Sequence, residues 1–184
     1  MKVTDLPIQG LKLVELQLFH DSRGFFVERF NLKKFAEAGL PTGFVQDNHS
    51  RSVPGVVRGL HYQTGPTQSK YVGVLRGKIW DVAVDLRPSS PTFGKHYAVE
   101  LSDSNGRLLW IPAGFAHGFC VLGDEPADVT YKVDNLYSPT GDGGIRWNDP
   151  ELNIPWPVKN AIVSEKDQKL QSFAEYRAKP AQWN

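Results

Sequence analysis

The sequence contains a single cysteine, Cys120, in 184 residues. One thiol excludes a disulfide within the chain and leaves no partner for a cysteine-based zinc site. Basic side chains number 21 against 20 acidic ones, so the chain lacks the strong positive field that drives unspecific binding to nucleic acid or anionic membranes. Any site for an anion must therefore be local.

Long apolar stretches are missing too. No segment approaches the roughly 20 consecutive apolar residues that a membrane-spanning helix needs. The first ten residues, MKVTDLPIQG, lack the apolar core of a secretory signal, so we expect a cytoplasmic protein that contacts neither membrane nor nucleic acid. With 40% hydrophobic and 11% aromatic residues, the chain can bury one substantial core, and we expect a single domain over residues 1–184.

Short extended segments separated by turn residues predict a mainly β fold. From Leu11 to Phe30 apolar and polar residues alternate, and Asp21 to Gly24 interrupt them as a hairpin turn would. Many short strands of even spacing are typical of a barrel or sandwich. Turn residues punctuate the central part of the chain at six places: Pro54-Gly55, Gly65-Pro66, Arg76-Gly77, Pro88 to Pro91, Asn105-Gly106 and Gly123-Asp124.

Two helices complete the prediction. Asn31 can cap a short helix near residues 31–38, with Phe35 on its apolar face and Gly39 after its end. Ser164 opens a C-terminal helix with Leu170 and Phe173 as its apolar contacts.

Two spaced motifs look like those of the cupin barrels. Metal-binding cupins place two histidines and a glutamate in the first motif and a further histidine in the second. Here Gln63 stands at the second histidine and Lys70 near the glutamate, and neither an amide nor an ammonium group suits a transition metal. We therefore expect a cupin-type, jelly-roll barrel without a metal. The motif residues are Gly55, His61, Gln63, Lys70 and Gly77, then Gly106, Pro112, Gly114 and His117.

Longer segments resemble the dTDP-4-dehydrorhamnose 3,5-epimerase family from about Leu11 to Asp167. The resemblance implies inversion of C3 and C5 of dTDP-4-dehydro-6-deoxy-D-glucose, giving dTDP-4-dehydro-L-rhamnose, without a cofactor. Such a reaction removes a proton beside the C4 ketone and returns one to the opposite face, which requires a base, an acid and an enolate stabiliser. The segments, in order, are NHSRS, GVVRGLHYQ, QSKYVGVLRGKIWDVAVDLR, WIPAGFAHGFCVL, YKVDNLYSP, GIRWNDP and VSEKD.

The resemblance assigns the catalytic roles to four residues. His61 matches the family's base, a role that suits histidine because imidazole changes charge near neutral pH. Asp167 matches the carboxylate that orients this histidine, although Ser-x-x-Asp is by itself close to a helix capping box. Tyr131 matches the acid on the other face, and Lys70 the cation beside the ketone oxygen.

The resemblance also implies a substrate-binding set and a homodimer. The dimer would exchange an N-terminal strand, so that Arg23 and Glu28 serve the partner's cavity. Arginine forks suit paired phosphate oxygens, and Phe26 can stack on the thymine or the sugar. Asp142 departs from the glutamate of many relatives. The set is Arg23, Phe26, Glu28, Gln46, Asn48, Arg58, Gln63, His117, Asp142 and Lys166.

Three other functions are compatible with the residues. An epimerase acting at only C3 or only C5 of a dTDP-4-ketosugar would use the same histidine, aspartate and tyrosine. A metal-dependent cupin oxygenase would gather His49, His61 and His117 around iron. A non-catalytic cupin would bind a nucleotide sugar or carbohydrate without turning it over.

Overall fold

The computed structural model describes residues 1–183 and is mainly β. Its strands are β1 (Lys2–Asp5), β2 (Lys12–Glu15), β3 (Leu18–Asp21), β4 (Gly24–Val27), β5 (Gln46–Ser52), β6 (Val57–Gln63), β7 (Lys70–Arg76), β8 (Lys78–Asp85), β9 (His96–Ser102), β10 (Arg107–Ile111), β11 (Phe115–Val121), β12 (Ala127–Val133) and β13 (Asp142–Gly144). The helices are α1 (Leu32–Glu37), α2 (Glu165–Gln168) and α3 (Phe173–Ala178).

The strands form two antiparallel sheets that face each other across an apolar core. One sheet has the order β1-β2-β10-β7-β12-β5 and the other β13-β6-β11-β8-β9. Alternate residues of each strand point inward, as Val72 and Val74 do on β7 and Ile79 and Ala83 on β8. Each aliphatic side chain that is fully buried this way contributes roughly 1.5–3 kcal/mol to folding. The expected jelly-roll barrel of the cupin type is confirmed.

The predicted turns fall between strands or at the end of one. Gly77, for example, separates β7 from β8 with a φ of 77°, a conformation that favours glycine, and the chain passes there from one sheet to the other. The predicted hairpin is also present, as β3 paired with β4 in a separate two-stranded sheet. Its aromatic residues are largely open to solvent, with Phe19 exposed by 60% and Phe26 by 68%.

Helix α1 forms within the predicted range of residues 31–38 and packs on the outer face of the six-stranded sheet. The Asn31 side chain accepts a hydrogen bond from the Lys34 backbone N–H and so caps the helix. Phe35 lies on the sheet side, with its ring centroid 5.0 Å from that of Tyr71. The outer face is thereby closed over part of its width.

The expected C-terminal helix is divided in two. Ser164 does begin α2, but the chain then pairs with the five-stranded sheet through the Arg146 N–H and the Gln171 carbonyl, 2.9 Å apart. Ser172 starts α3 with a capping box of its own. Phe173 therefore belongs to a second helix that packs on the outer face of the five-stranded sheet. Within residues 1–183 no helix has the length and apolar character needed to cross a membrane.

Candidate active site

An irregularity in β6 aims two polar side chains into the barrel. Strict alternation would place Arg58 and His61 on opposite faces of the sheet. The pairing of β6 with β11 shifts between His117 and Phe119. Between Arg58 and His61, β6 contains one residue more than the paired stretch of β11. Such a β-bulge redirects side chains, and both Arg58 and His61 line one cavity.

Glycine is required at the bulge. Gly59 has a φ of 107°, and an added Cβ would lie 2.6 Å from the His117 carbonyl oxygen. On the facing strand, a Cβ on Gly118 would lie 2.6 Å from the Arg58 carbonyl oxygen. The two glycines therefore allow the backbones to approach closely enough for the bulge to form.

The carboxylate of Asp167 holds the bulge and the histidine together. One oxygen, Oδ1, lies 2.7 Å from His61 Nε2, and the other, Oδ2, accepts the Gly59 backbone N–H at 3.0 Å. Burial by itself would raise the pKa of Asp167, but the hydrogen bonds from His61 and Gly59 outweigh it and the pKa is lowered. The carboxylate therefore stays ionised beside a histidine whose side chain is 36% exposed.

A second histidine–aspartate pair lies next to the first. His117 on β11 is the register partner of His61 on β6. Its Nε2 lies 2.7 Å from Asp81 Oδ1, and the other Asp81 oxygen is buried without a hydrogen-bond partner in the described part of the chain. His117 reaches the cavity while Asp81 is fully buried behind it.

The opposite sheet supplies a phenol and an ammonium group. Tyr131 on β12 and Lys70 on β7 share the inward face of their strands with the core residues Val129 and Val72. Burial raises the pKa of Tyr131, and the nearby positive charge of Arg58 opposes this only in part. Burial lowers the pKa of Lys70 to about 8, although Asp134 and Asp142 favour its charged form.

These groups surround one cavity of about 250 Å³ between the two sheets. The imidazoles of His61 and His117 come from one sheet, and the Tyr131 phenol and the Lys70 ammonium group from the other. A flat ring bound between the sheets would thus have a base on one face and a proton donor on the other. The lining residues are Ser50, Arg58, His61, Tyr62, Gln63, Gln68, Lys70, His117, Gly118, Phe119, Tyr131, Tyr137, Asp142 and Lys166.

Five of the residues expected to bind substrate lie outside this cavity. Arg23 and Phe26 are on the exposed hairpin, and Glu28 follows it in an ion pair with Lys34 at 2.7 Å. Gln46 and Asn48 lie on the edge strand β5 and hydrogen-bond to each other at 2.8 Å. The other expected residues line the cavity, except Asp167, which reaches it through His61.

The iron site of the oxygenase alternative is not assembled. His49 lies on β5 between Asn48 and Ser50, so it points away from the cavity that Ser50 lines. Its Nε2 contacts Asp128 at 3.0 Å on the outer face of the sheet. Within the described residues, no three histidine, cysteine, aspartate or glutamate side chains are grouped to hold a metal ion.

Several lining residues escaped sequence reasoning, and Tyr137 is the most prominent. It belongs to residues 134–138, which we call the rim loop, directly after β12. Its hydroxyl donates to Asp142 at 3.1 Å, and Lys166 forms an ion pair with the same carboxylate. Ser50 could have been found, because it shares a strand face with Asn48; Tyr137, in a loop, offers no such periodicity.

Comparison with known proteins finds one family throughout. The family model described as dTDP-4-dehydrorhamnose 3,5-epimerase matches residues 5–175. A dTDP-4-dehydrorhamnose 3,5-epimerase of Shigella flexneri is 52% identical over 95% of this chain and 97% of its own length. A dTDP-4-dehydrorhamnose 3-epimerase of Streptomyces niveus is 39% identical over 96% of this chain and 86% of its own.

A solved structure is similar over the whole chain. It is the crystal structure of a dTDP-6-deoxy-D-glucose-3,5-epimerase from Legionella pneumophila Philadelphia 1 in complex with dTDP-4-keto-L-rhamnose. The similarity has a TM-score of 0.93 and 44% sequence identity, and covers 100% of this chain and 98% of the other.

The charge of Asp167 can be tested through stability. We expect Asp167→Asn to lose about 1–3 kcal/mol of the free energy of unfolding at neutral pH, because hydrogen bonds to a charged acceptor are worth about that much. The folded pKa lies below the ordinary value of 3.8, so this contribution is present above pH 3.8 and is lost as the pH falls through the folded pKa. Urea denaturation of both proteins at stepwise lower pH measures it, and a difference that does not shrink in acid would contradict the assignment.

Proposed function

The chain belongs to the dTDP-4-dehydrorhamnose 3,5-epimerase family, and we propose that its cavity converts dTDP-4-dehydro-6-deoxy-D-glucose to dTDP-4-dehydro-L-rhamnose. The observation that carries this proposal is the placement of a histidine base and a partly buried phenol on opposite sheets. Inversion needs proton removal from one face of the sugar ring and delivery to the other.

His61 is the base in this proposal, and Asp167 is its positioning residue. The hydrogen bond from Nε2 to Asp167 leaves the other ring nitrogen to take the proton from C3 or C5. The buried carboxylate then stabilises the imidazolium that forms. Because the imidazole is partly exposed, its proton can exchange with water between steps.

The C4 ketone provides the acidity of both hydrogens, so the enolate oxygen needs a positive partner. Lys70 fits this role, since a buried ammonium group acts in a low dielectric and is worth far more than in water. His117, backed by Asp81, lies on the other side of the same cavity and can hydrogen-bond the sugar. Tyr131 returns the proton from the opposite face.

Proton exchange at C3 and C5 gives the direct test. In deuterated water, proton NMR of the ketosugar with the protein should show loss of the C3 and C5 signals and appearance of the inverted product. We expect His61→Asn to slow both exchanges about 10²- to 10⁴-fold, as for loss of a general base. Tyr131→Phe should instead permit exchange while reducing inversion, because the base remains and the acid is lost.

These measurements separate the alternatives. Exchange at one carbon only in the wild type would identify an epimerase that acts at a single position, as the name of the 39% identical relative describes. A His61→Asn protein that exchanges both hydrogens as fast as the wild type would rule out His61 as the base. Binding without any exchange would favour the non-catalytic cupin.

The lysine sets the expected alkaline limit. Because its pKa is lowered to about 8, Lys70 is charged below that pH and loses its charge above it. We expect kcat/KM to fall as the pH rises through about 8, before the more basic Tyr131 ionises. In Lys70→Arg, which stays charged, this fall should vanish, although displaced geometry lowers the rate. A wild-type profile that stays flat to about pH 10 would remove Lys70 from the role.

We propose a homodimer in which the β3–β4 hairpin of each protomer completes the partner's cavity. Three features support it: the cavity has the size of a sugar rather than a whole dTDP-sugar, the hairpin aromatics are exposed, and Arg23, Phe26 and Glu28 lie outside their own protomer's cavity. The Arg23 side chain is oriented by an ion pair with Asp21, with 2.6 Å between Nη2 and Oδ2. We also propose a cytoplasmic location, which the buried free thiol of Cys120 supports.

Subunit mixing tests the exchange. Arg23→Ala and His61→Ala should each be nearly inactive, because the first loses diphosphate binding and the second loses the base. When the two are co-expressed, about a quarter of the cavities should combine an intact His61 with the partner's intact Arg23, and activity should recover accordingly. Activity no higher than the mean of the two separate variants would show that each hairpin serves its own cavity.

A further inference from the structure

The side-chain amide of Gln63 is occupied by the protein itself. Gln63 lies two residues beyond His61 on β6 and is only 4% exposed. Its Nε2 donates to the Pro66 carbonyl at 2.8 Å and to the Leu136 carbonyl at 3.1 Å, and its Oε1 accepts the Ser138 backbone N–H at 2.9 Å. A primary amide has two N–H donors, so no donor is left for a substrate.

Two of these bonds bracket one residue. The Leu136 carbonyl belongs to the peptide group before Tyr137, and the Ser138 N–H to the peptide group after it. Gln63 therefore fixes the backbone on both sides of Tyr137. The intervening Tyr137 N–H donates to Gln46 Oε1 at 3.1 Å.

The rest of the rim loop is held in the same manner. The Asn135 carbonyl accepts the Gln68 side-chain amide at 2.7 Å, and Asp134 accepts the Ser69 N–H at 2.8 Å. Each residue from 134 to 138 is thus tied by a bond that involves a side chain to β5, to β6 or to the β6–β7 connection. A loop outside the strand ladders obtains a defined position this way.

That position matters for the cavity because of what the loop carries. Tyr137 lines the cavity, and its hydroxyl donates to Asp142, which also pairs with Lys166. A ring that is 55% exposed at a cavity rim has little packing of its own to hold it. Its place depends on the hydroxyl bond to Asp142 and on the backbone bonds to either side of Tyr137, two of which Gln63 makes.

We infer that Gln63 is a positioning residue, which acts on the substrate through Tyr137 and not by direct contact. The inference rests on the proposed function and revises the expectation that Gln63 itself binds the substrate. Tyr137 lines the cavity proposed for the dTDP-sugar, and Gln63 sets the position of that side chain.

A double-mutant cycle distinguishes the two roles. We expect Gln63→Leu to raise KM for the ketosugar about tenfold, with a smaller change in kcat, since two hydrogen bonds that place Tyr137 are lost. In a Tyr137→Ala background the same substitution should change KM less than about twofold, because there is no longer a ring to misplace. An equal, roughly tenfold, rise in both backgrounds would overturn the inference and make Gln63 a direct ligand.

Controls separate positioning from general destabilisation. Ser172→Ala removes the cap of α3, away from the cavity, and should lower Tm while leaving KM unchanged. If Gln63→Leu does not fold, Gln68→Leu, which removes the single bond to the Asn135 carbonyl, replaces it in the cycle; its smaller rise in KM should likewise disappear in Tyr137→Ala. Persistence of that rise would count against the inference. A wild type without turnover would instead refute the proposed function.

Discussion

The carboxylate of Asp167 is the contact on which the geometry of the site depends. Its two oxygens bind a backbone N–H in the β6 bulge and the imidazole that the bulge aims inward. The group is supplied by α2, more than a hundred residues away in sequence, whose first turn is held by the Ser164 cap. The C-terminal segment is therefore part of the candidate active site, although it adds no strand to either sheet.

The interior of the barrel has an apolar end and a polar end. At one end, inward positions of both sheets carry valine, isoleucine and leucine and form a dry core. At the other end, the same inward positions carry His61, His117, Lys70 and Tyr131. Burial that stabilises the first group costs free energy in the second, and it appears as a lowered pKa for Lys70 and a raised pKa for Tyr131. The same fold thus provides both a scaffold and a reactive environment.

Sequence reasoning succeeded where local chemistry decides the outcome. Turns between strands follow from glycine and proline, and the start of α1 follows from Asn31, because each depends on a few neighbouring residues. The helix predicted to begin at Ser164 is present, but its division into α2 and α3 could not be predicted, since the break comes from pairing of Gln171 with Arg146. The inward direction of both Arg58 and His61 was likewise out of reach, because the two-residue period of a strand forbids it and only the pairing with β11 reveals the bulge.

The resemblance identified residues whose contacts sequence alone could not separate. It grouped Gln63 with ligand-binding residues, whereas the direction of its amide is visible only in three dimensions. It also grouped Arg23 with Arg58, although the first lies on a projecting hairpin and the second in the cavity. Membership of a set of binding residues therefore says little about which neighbouring groups each side chain contacts.

The proposed base and acid, His61 and Tyr131, belong to different sheets, so the apolar core sets the spacing between them. The distance between His61 and Tyr131 is governed by how thickly Val72, Val74 and their neighbours fill the space between the sheets. Facing sheets pack about 10 Å apart, and an error of about 1 Å in the placement of reacting groups can cost about 100-fold in rate. A change of one methyl group in the core that folding tolerates could therefore alter the distance between His61 and Tyr131. The volume of the core side chains would then affect the reaction rate.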